Sequence, residues 1–184
     1  KKLMEKGQLD VKGKELEIFP DGILLRLGRK MKKYNGKTIQ LGKSTDHCFE
    51  EFDIEDQAEE GKFVAQDGRE RFGKFYRLEP GVFHIGSSFE WVRMSEEHVG
   101  MLRRLNEDWL VGDIHPNAPL VSAGSEGEQV FEFYFPDGYN VWEWKPICNM
   151  QLLRLDQKPK QLYNGKYQGQ KGAQTSLLHT EQKN

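Results

Sequence analysis

From Ile23 onward the chain is a succession of short runs rich in β-branched and aromatic residues, each bounded by Gly, Pro, Asn or Asp. That punctuation predicts many short strands, over residues 23–27, 38–41, 62–65, 82–85, 89–94, 99–105, 129–135, 141–144 and 147–155. An all-β fold follows, a sandwich or a jelly-roll-like barrel. The N-terminal stretch, residues 1–17, differs: Leu3, Met4, Leu9, Val11 and Leu16 stand among charges in a weak amphipathic pattern broken by Gly7 and Gly13. It supports one short helix. From Asp156 the chain turns polar and Gly-bearing, with Lys158, Lys160, Lys166 and Lys171, and reads as an arm that orders only against something else. The expected division is a β domain over residues 1–155 and an arm over residues 156–184.

Charge narrows the partners. Twenty-seven Lys and Arg face 29 Asp and Glu, a formal net charge of −2, which argues against the broad basic surface of a sequence-independent nucleic-acid binder. A small anionic ligand needs only a few cations and stays open. With 36% hydrophobic and 11% aromatic residues in 184, one domain with a real core is expected. No apolar run approaches the roughly 18 residues of a membrane span, and the opening KKLMEKGQLD lacks a signal-like apolar stretch, so no membrane partner and a cytoplasmic location are expected.

Metal and disulfide chemistry find little support. Cys48 and Cys148 belong to no Cys-x-x-Cys pair, and His47, His84, His98, His115 and His179 are scattered without metal-binding spacing. The stretch EEFDIEDQAEE, residues 50–60, packs carboxylates with no cation between them and reads as a solvated loop rather than a metal site.

The segment QVFEFYF alternates cleanly, with Phe131, Phe133 and Phe135 on one face and Val130, Glu132 and Tyr134 on the other. Glu132 is thus a carboxylate in an otherwise apolar strand, which by itself suits an outward residue on a half-exposed sheet. Glu143, between Trp142 and Trp144, reads the same way.

Read with its neighbours, Glu132 gains a second meaning. APLVSAGSEGEQVFE, residues 118–132, resembles without a gap the Ala-Gly-Trp-Ile-Asp-Pro-Gly-Phe-x-Gly-x-Ile-x-Leu-Glu run of the dCTP deaminase branch of the trimeric dUTPase-like superfamily, with Ala118, Gly124, Gly127 and Glu132 on its fixed points. Other blocks follow in that family's order. LMEKGQL and FPDGILLRLG resemble its N-terminal helix and its Ser-Tyr-Asp-Leu-Arg-Leu-Gly strand, matched from Leu25 to Gly28. LEPGVFHIGSSFEWVRMSEEHVG resembles the strand pair after a Pro-Gly turn, and YNGKYQGQKGAQTS, residues 163–176, resembles the Lys-Tyr-x-x-Gln-x-Gly arm.

The resemblance implies a distorted β-barrel in a homotrimer, with each site built between subunits and closed by the C-terminal arm. It implies a zinc-free deamination of a pyrimidine deoxynucleoside triphosphate, with no cofactor for the chemistry and Mg2+ only as companion of the triphosphate. By position Glu132 is the proton shuttle, work that suits a carboxylate whose pKa is raised by partial burial. Arg104, Ala118, Tyr163, Lys166 and Gln170 fall on nucleotide-binding positions, Lys166 as a flexible ammonium able to follow phosphates.

The departures are specific. The family's Arg-Ser-Ser-Leu-x-Arg-Leu-Gly falls on Arg104 to Val111, where Leu105 and Asn106 replace the serines and Trp109 the second arginine. Arg103 and Arg104 are adjacent, so on a strand only one of them can face a given phosphate. Ser122 and Leu24 replace family aspartates; the first loss weakens a dUTP diphosphatase reading more than a deaminase one. Three readings result: a divergent deaminase acting on dCTP or a related pyrimidine, a catalytically silent trimeric paralogue that binds nucleotide or regulates, and, lower, a dUTP diphosphatase.

Overall fold

Two long strands organise the molecule. A computed structural model gives the placement of residues 4, 9–13, 16–20, 22–40, 42–64, 69–105, 113–115 and 119–180. Its elements are β1 (Leu9–Lys12), β2 (Gly22–Tyr34), β3 (Phe49–Asp53), a helical turn α1 (Ile54–Gln57), β4 (Glu59–Val64), β5 (Glu70–Leu78), β6 (Phe83–Met94), β7 (His98–Arg104), β8 (Asp113–His115), β9 (Leu120–Val121), β10 (Glu126–Tyr134), β11 (Tyr139–Val141) and β12 (Pro146–Arg154). β6 and β2 lie side by side in the middle of a sheet ordered β8-β10-β6-β2-β12-β7-β9, with β1 also on β6 and β3 also on β2; β11, β5 and β4 form a small second sheet. The fold is all-β, as the strand pattern predicts, and a distorted barrel, as the family resemblance implies. No helix among the described residues is long and apolar enough to cross a membrane.

The core is built from one face of each strand. Phe131, Phe133 and Phe135 are at most 1% exposed, packed with Leu25, Leu27, Met31 and Met150. Truncating such a phenylalanine to alanine typically costs about 3–5 kcal/mol. Gly86 is where β6 meets this cluster: a Cβ there would lie 2.9 Å from Leu27 and 3.0 Å from Phe133. The small run Gly86, Ser87, Ser88 is therefore the middle of a continuous strand and joins the two runs expected at 82–85 and 89–94.

Other expectations are corrected. Residues 38–40 form no strand; they lie in a connection with Gly36 and Gly42 at positive φ on either side, and Ile39 is half exposed. The acidic stretch 50–60 is not a solvated loop. It supplies β3, α1 and the start of β4, because its cations come from other strands: Asp53 pairs with Arg29 (3.1 Å) and Lys30 (3.5 Å), and Glu55 with Lys74 (2.7 Å). Asp53 also caps α1 by accepting the Glu55 N–H at 2.9 Å. The run at 141–144 ends as a strand at Val141, and Trp142 to Trp144 make a turn with Trp144 at φ 66°. In the N-terminal stretch, residues 1–3 and 5–8 lie outside the described residues, whereas Leu9–Lys12 pairs with β6 as a strand. Cys48 and Cys148 are buried free thiols.

Candidate active site

β10 carries the site because its pleat is interrupted. Its register against β6 shifts between Glu128 and Val130, so that Glu128, Gln129, Val130 and Glu132 all line one cavity on the side away from the phenylalanines. The cavity measures about 580 Å³, within the range of small-molecule sites. Ile85, Leu102, Leu120 and Val130 form an apolar wall; Glu126, Glu128 and Glu132 supply carboxylates; Ser122 and Ser125 add hydroxyls. Glu132 is partly buried, with β6 on one side and β8 on the other.

The arm forms the remaining wall, contributing Tyr163, Tyr167, Gln170, Gln174, Thr175 and Ser176. It is seated on residues 123–128 of the same chain. The Tyr163 N–H donates to Ala123 O (3.0 Å) and the Gly169 N–H to Glu126 O (2.8 Å). Gln170 is clamped twice: its carbonyl accepts the Glu128 N–H at 3.1 Å, and its Nε2 donates to Glu128 O at 2.7 Å. Beyond it, the Glu128 carboxylate accepts the Gly172 N–H (2.7 Å) and the Ser87 hydroxyl (2.9 Å). The Tyr167 hydroxyl accepts the Leu177 N–H at 3.1 Å. Ala173 and Thr175 are buried, and the Thr175 hydroxyl donates to Asp46 at 2.5 Å. That hydrogen bond, with Lys32 nearby, holds the Asp46 carboxyl below the usual carboxylate range.

Of the six residues singled out from the sequence, Glu132, Tyr163 and Gln170 line the cavity. Lys166 does not; its ammonium lies over the ring of Tyr167, 5.3 Å from the ring centre. Arg104, at the exposed end of β7, does not line it either. Ala118 lies outside the described residues, as do Asn106 and Trp109. Glu126, Glu128 and Asp46 escaped sequence reasoning; their contacts with the arm lie 42 to 129 positions away, and no local pattern announces them. Glu143 lies in a second cleft, with Arg29, Lys30, Lys32 and Lys171, whose lining shares Glu128 and Gln174 with the first.

No family model matches the chain. Individual relatives do. The dUMP-forming dCTP deaminase of Aquifex aeolicus is 25% identical over 186 residues, covering 99% of this chain and 93% of that protein. The dUMP-forming dCTP deaminase of Hydrogenobaculum is 31% identical over 132 residues, covering 71% of this chain and 72% of that protein. Among solved structures, the 2'-deoxycytidine 5'-triphosphate deaminase of Agrobacterium tumefaciens shares the fold at a TM-score of 0.57 and 14% identity; the match covers 84% of this chain and 46% of that one. An all-β barrel with a carboxylate-bearing strand under a C-terminal arm is the architecture at hand, and the relatives say whose it is. The chain belongs to the dCTP deaminase family, as a divergent member.

Proposed function

We propose that this chain deaminates dCTP, replacing the C4 amine of cytosine with oxygen and releasing ammonia, in a homotrimer whose subunit contacts complete each site. The observation that carries the reading is Glu132, a half-buried carboxylate on the wall of a cavity whose other wall brings Tyr163 and Gln170 from the arm. In this reading Glu132 takes a proton from water as the oxygen attacks C4, and delivers it to N3. It then moves the remaining hydroxyl proton to the amine, which leaves as ammonia, so one water enters for each ammonia lost. The apolar wall suits a planar base, and the amides of Gln129, Gln170 and Gln174 suit its polar edge.

Charge supports the homotrimer. The described lining holds three carboxylates and no Lys or Arg, so a triphosphate bound there needs cations from elsewhere. Lys166, over the ring of the wall residue Tyr167, and Arg103 or Arg104 of a second subunit are suited to supply them. Next to the cavity, β7, β9 and β12 expose Met101, Leu120 and Leu153, an apolar edge fit for a subunit contact. Mg2+ enters as part of the substrate; among the described residues no group of three His, Cys, Asp or Glu is placed to hold a metal. A monomer by mass measurement at micromolar concentration would contradict the trimer.

The same absence of lining cations favours, as second reading, a silent nucleotide-binding paralogue. One experiment separates the readings: each deoxynucleoside triphosphate is supplied, and ammonia and pyrophosphate are followed separately. Ammonia from dCTP supports the deaminase, and pyrophosphate in equal amount adds the dUMP-forming step named in the relatives. Binding without either product supports the silent paralogue, and pyrophosphate from dUTP without ammonia the diphosphatase.

A further inference from the structure

Thr175 joins the cavity-lining arm to the connection between β2 and β3 through a buried hydroxyl. Its side chain is 2% exposed and donates to Asp46 Oδ1 at 2.5 Å, across 129 positions of sequence. Asp46 is prepared to accept. Lys32 Nζ stands 3.5 Å from the same oxygen, and the Ser44 hydroxyl donates to Oδ2 at 3.2 Å. Asp46 also opens a short 3-10 turn fixed by the Cys48 N–H donating to Thr45 O at 2.9 Å, with the Cys48 side chain fully buried. Two positions before Thr175 is buried Ala173, and before that Gly172, held by Glu128 at 2.7 Å. The segment 172–175 is therefore gripped at both ends by carboxylates, one belonging to β10 and one to a distant turn. Gln174 and Thr175, within this grip, form part of the wall of the Glu132 cavity.

We propose that Asp46 is a positioning residue for the Glu132 site: acting through Thr175, it holds the distal arm in place as a wall of the nucleotide cavity. It touches neither substrate nor Glu132 in this account, so it governs how tightly the closed cavity holds the nucleotide rather than the proton transfers. The kinetic consequence rests on the deaminase reading; the seating of the arm does not. A hydrogen bond to a charged acceptor is worth a factor of roughly 10 or more when buried, and the exposure of the Asp46 carboxylate brings the expected effect to roughly 3–10-fold.

The test uses the full-length protein with Thr175→Val, which removes the hydroxyl at nearly constant shape, Asp46→Ala, and the conservative pair Thr175→Ser and Asp46→Asn. Two readouts are taken: amide hydrogen exchange of residues 171–177, and KM and kcat for dCTP. Thr175→Val and Asp46→Ala are expected to speed exchange in that segment and raise KM by roughly 3–10-fold with kcat within about twofold. The double variant is expected to be no worse than either single one, because both remove the same contact. Thr175→Ser, and Asp46→Asn, which keeps an acceptor oxygen, are expected to restore most of both. Unchanged exchange in Thr175→Val overturns the proposal, as does a loss confined to kcat. Should Asp46→Ala fail to fold, Thr175→Val decides alone. A wild-type protein that releases no ammonia defeats the deaminase reading, and exchange of the arm then judges the latch by itself.

Discussion

A Cβ on Gly127 would lie 3.0 Å from both the backbone N and the backbone O of Gln170, so β10 and the arm touch only because residue 127 has no side chain. The same residue sits at φ 144°, a conformation that residues with a Cβ rarely adopt. Gly127→Ala is expected to push the arm off β10, weaken dCTP binding at least tenfold and expose residues 163–176 to protease, while the barrel stays folded. Nucleotide titration with limited proteolysis checks this; an arm as protected as in the wild type would contradict the packing described.

Arg26 and Glu90 form a buried pair on the other side of β6. Arg26 Nε donates to one Glu90 oxygen at 2.7 Å, the Arg26 N–H donates to the other at 2.8 Å, and Glu90 is fully buried. Replacing one partner strands the other's charge. Arg26→Met or Glu90→Gln alone is expected to cost about 3–5 kcal/mol in urea unfolding, and the two together less than the sum. Additive losses would show that the pair is not coupled.

His84 gives stability a pH dependence. Its Nδ1–H donates to Val82 O at 3.0 Å, its buried Nε2 finds no hydrogen-bond partner among the described residues, and burial pushes its pKa below the ordinary value of 6.5. Below that value the unfolded chain takes up a proton that the folded chain refuses. The resulting stability is fully present above about pH 6.5 and declines as pH falls toward the folded pKa, by up to about 1.4 kcal/mol per pH unit. Urea unfolding at pH 7.5 and 5.5 is expected to show a smaller difference in His84→Leu than in the wild type. Equal differences would assign the pH dependence elsewhere.

The part of this architecture legible in the sequence is the part written at short range. The period of two in QVFEFYF puts Phe131, Phe133 and Phe135 in the core and Glu132 on the other face, as they stand in the fold. β3 and α1 are hidden in an acidic stretch because their cations come from elsewhere, Arg29 and Lys30 on β2 for Asp53 and Lys74 on β5 for Glu55. β6 read as two strands because Gly86, Ser87 and Ser88 look like a break, whereas their smallness serves close packing. In the site, family spacing leads to Glu132, Tyr163 and Gln170, but Glu128 and Asp46 act through contacts 41 to 129 positions away. Arg26 was visible within the Leu25 to Gly28 match; its partner Glu90 was not, since only the barrel brings them together.

The central claim is that Glu132 moves the protons of the deamination, and Glu132→Gln tests it most directly, since it keeps size and hydrogen-bonding capacity while removing the basic oxygen. Ammonia release from dCTP is measured for wild type and variant, with dCTP affinity measured in parallel by titration. The account predicts a fall in kcat on the order of 10² or more with binding retained. Wild-type ammonia release that persists unchanged in Glu132→Gln would contradict it.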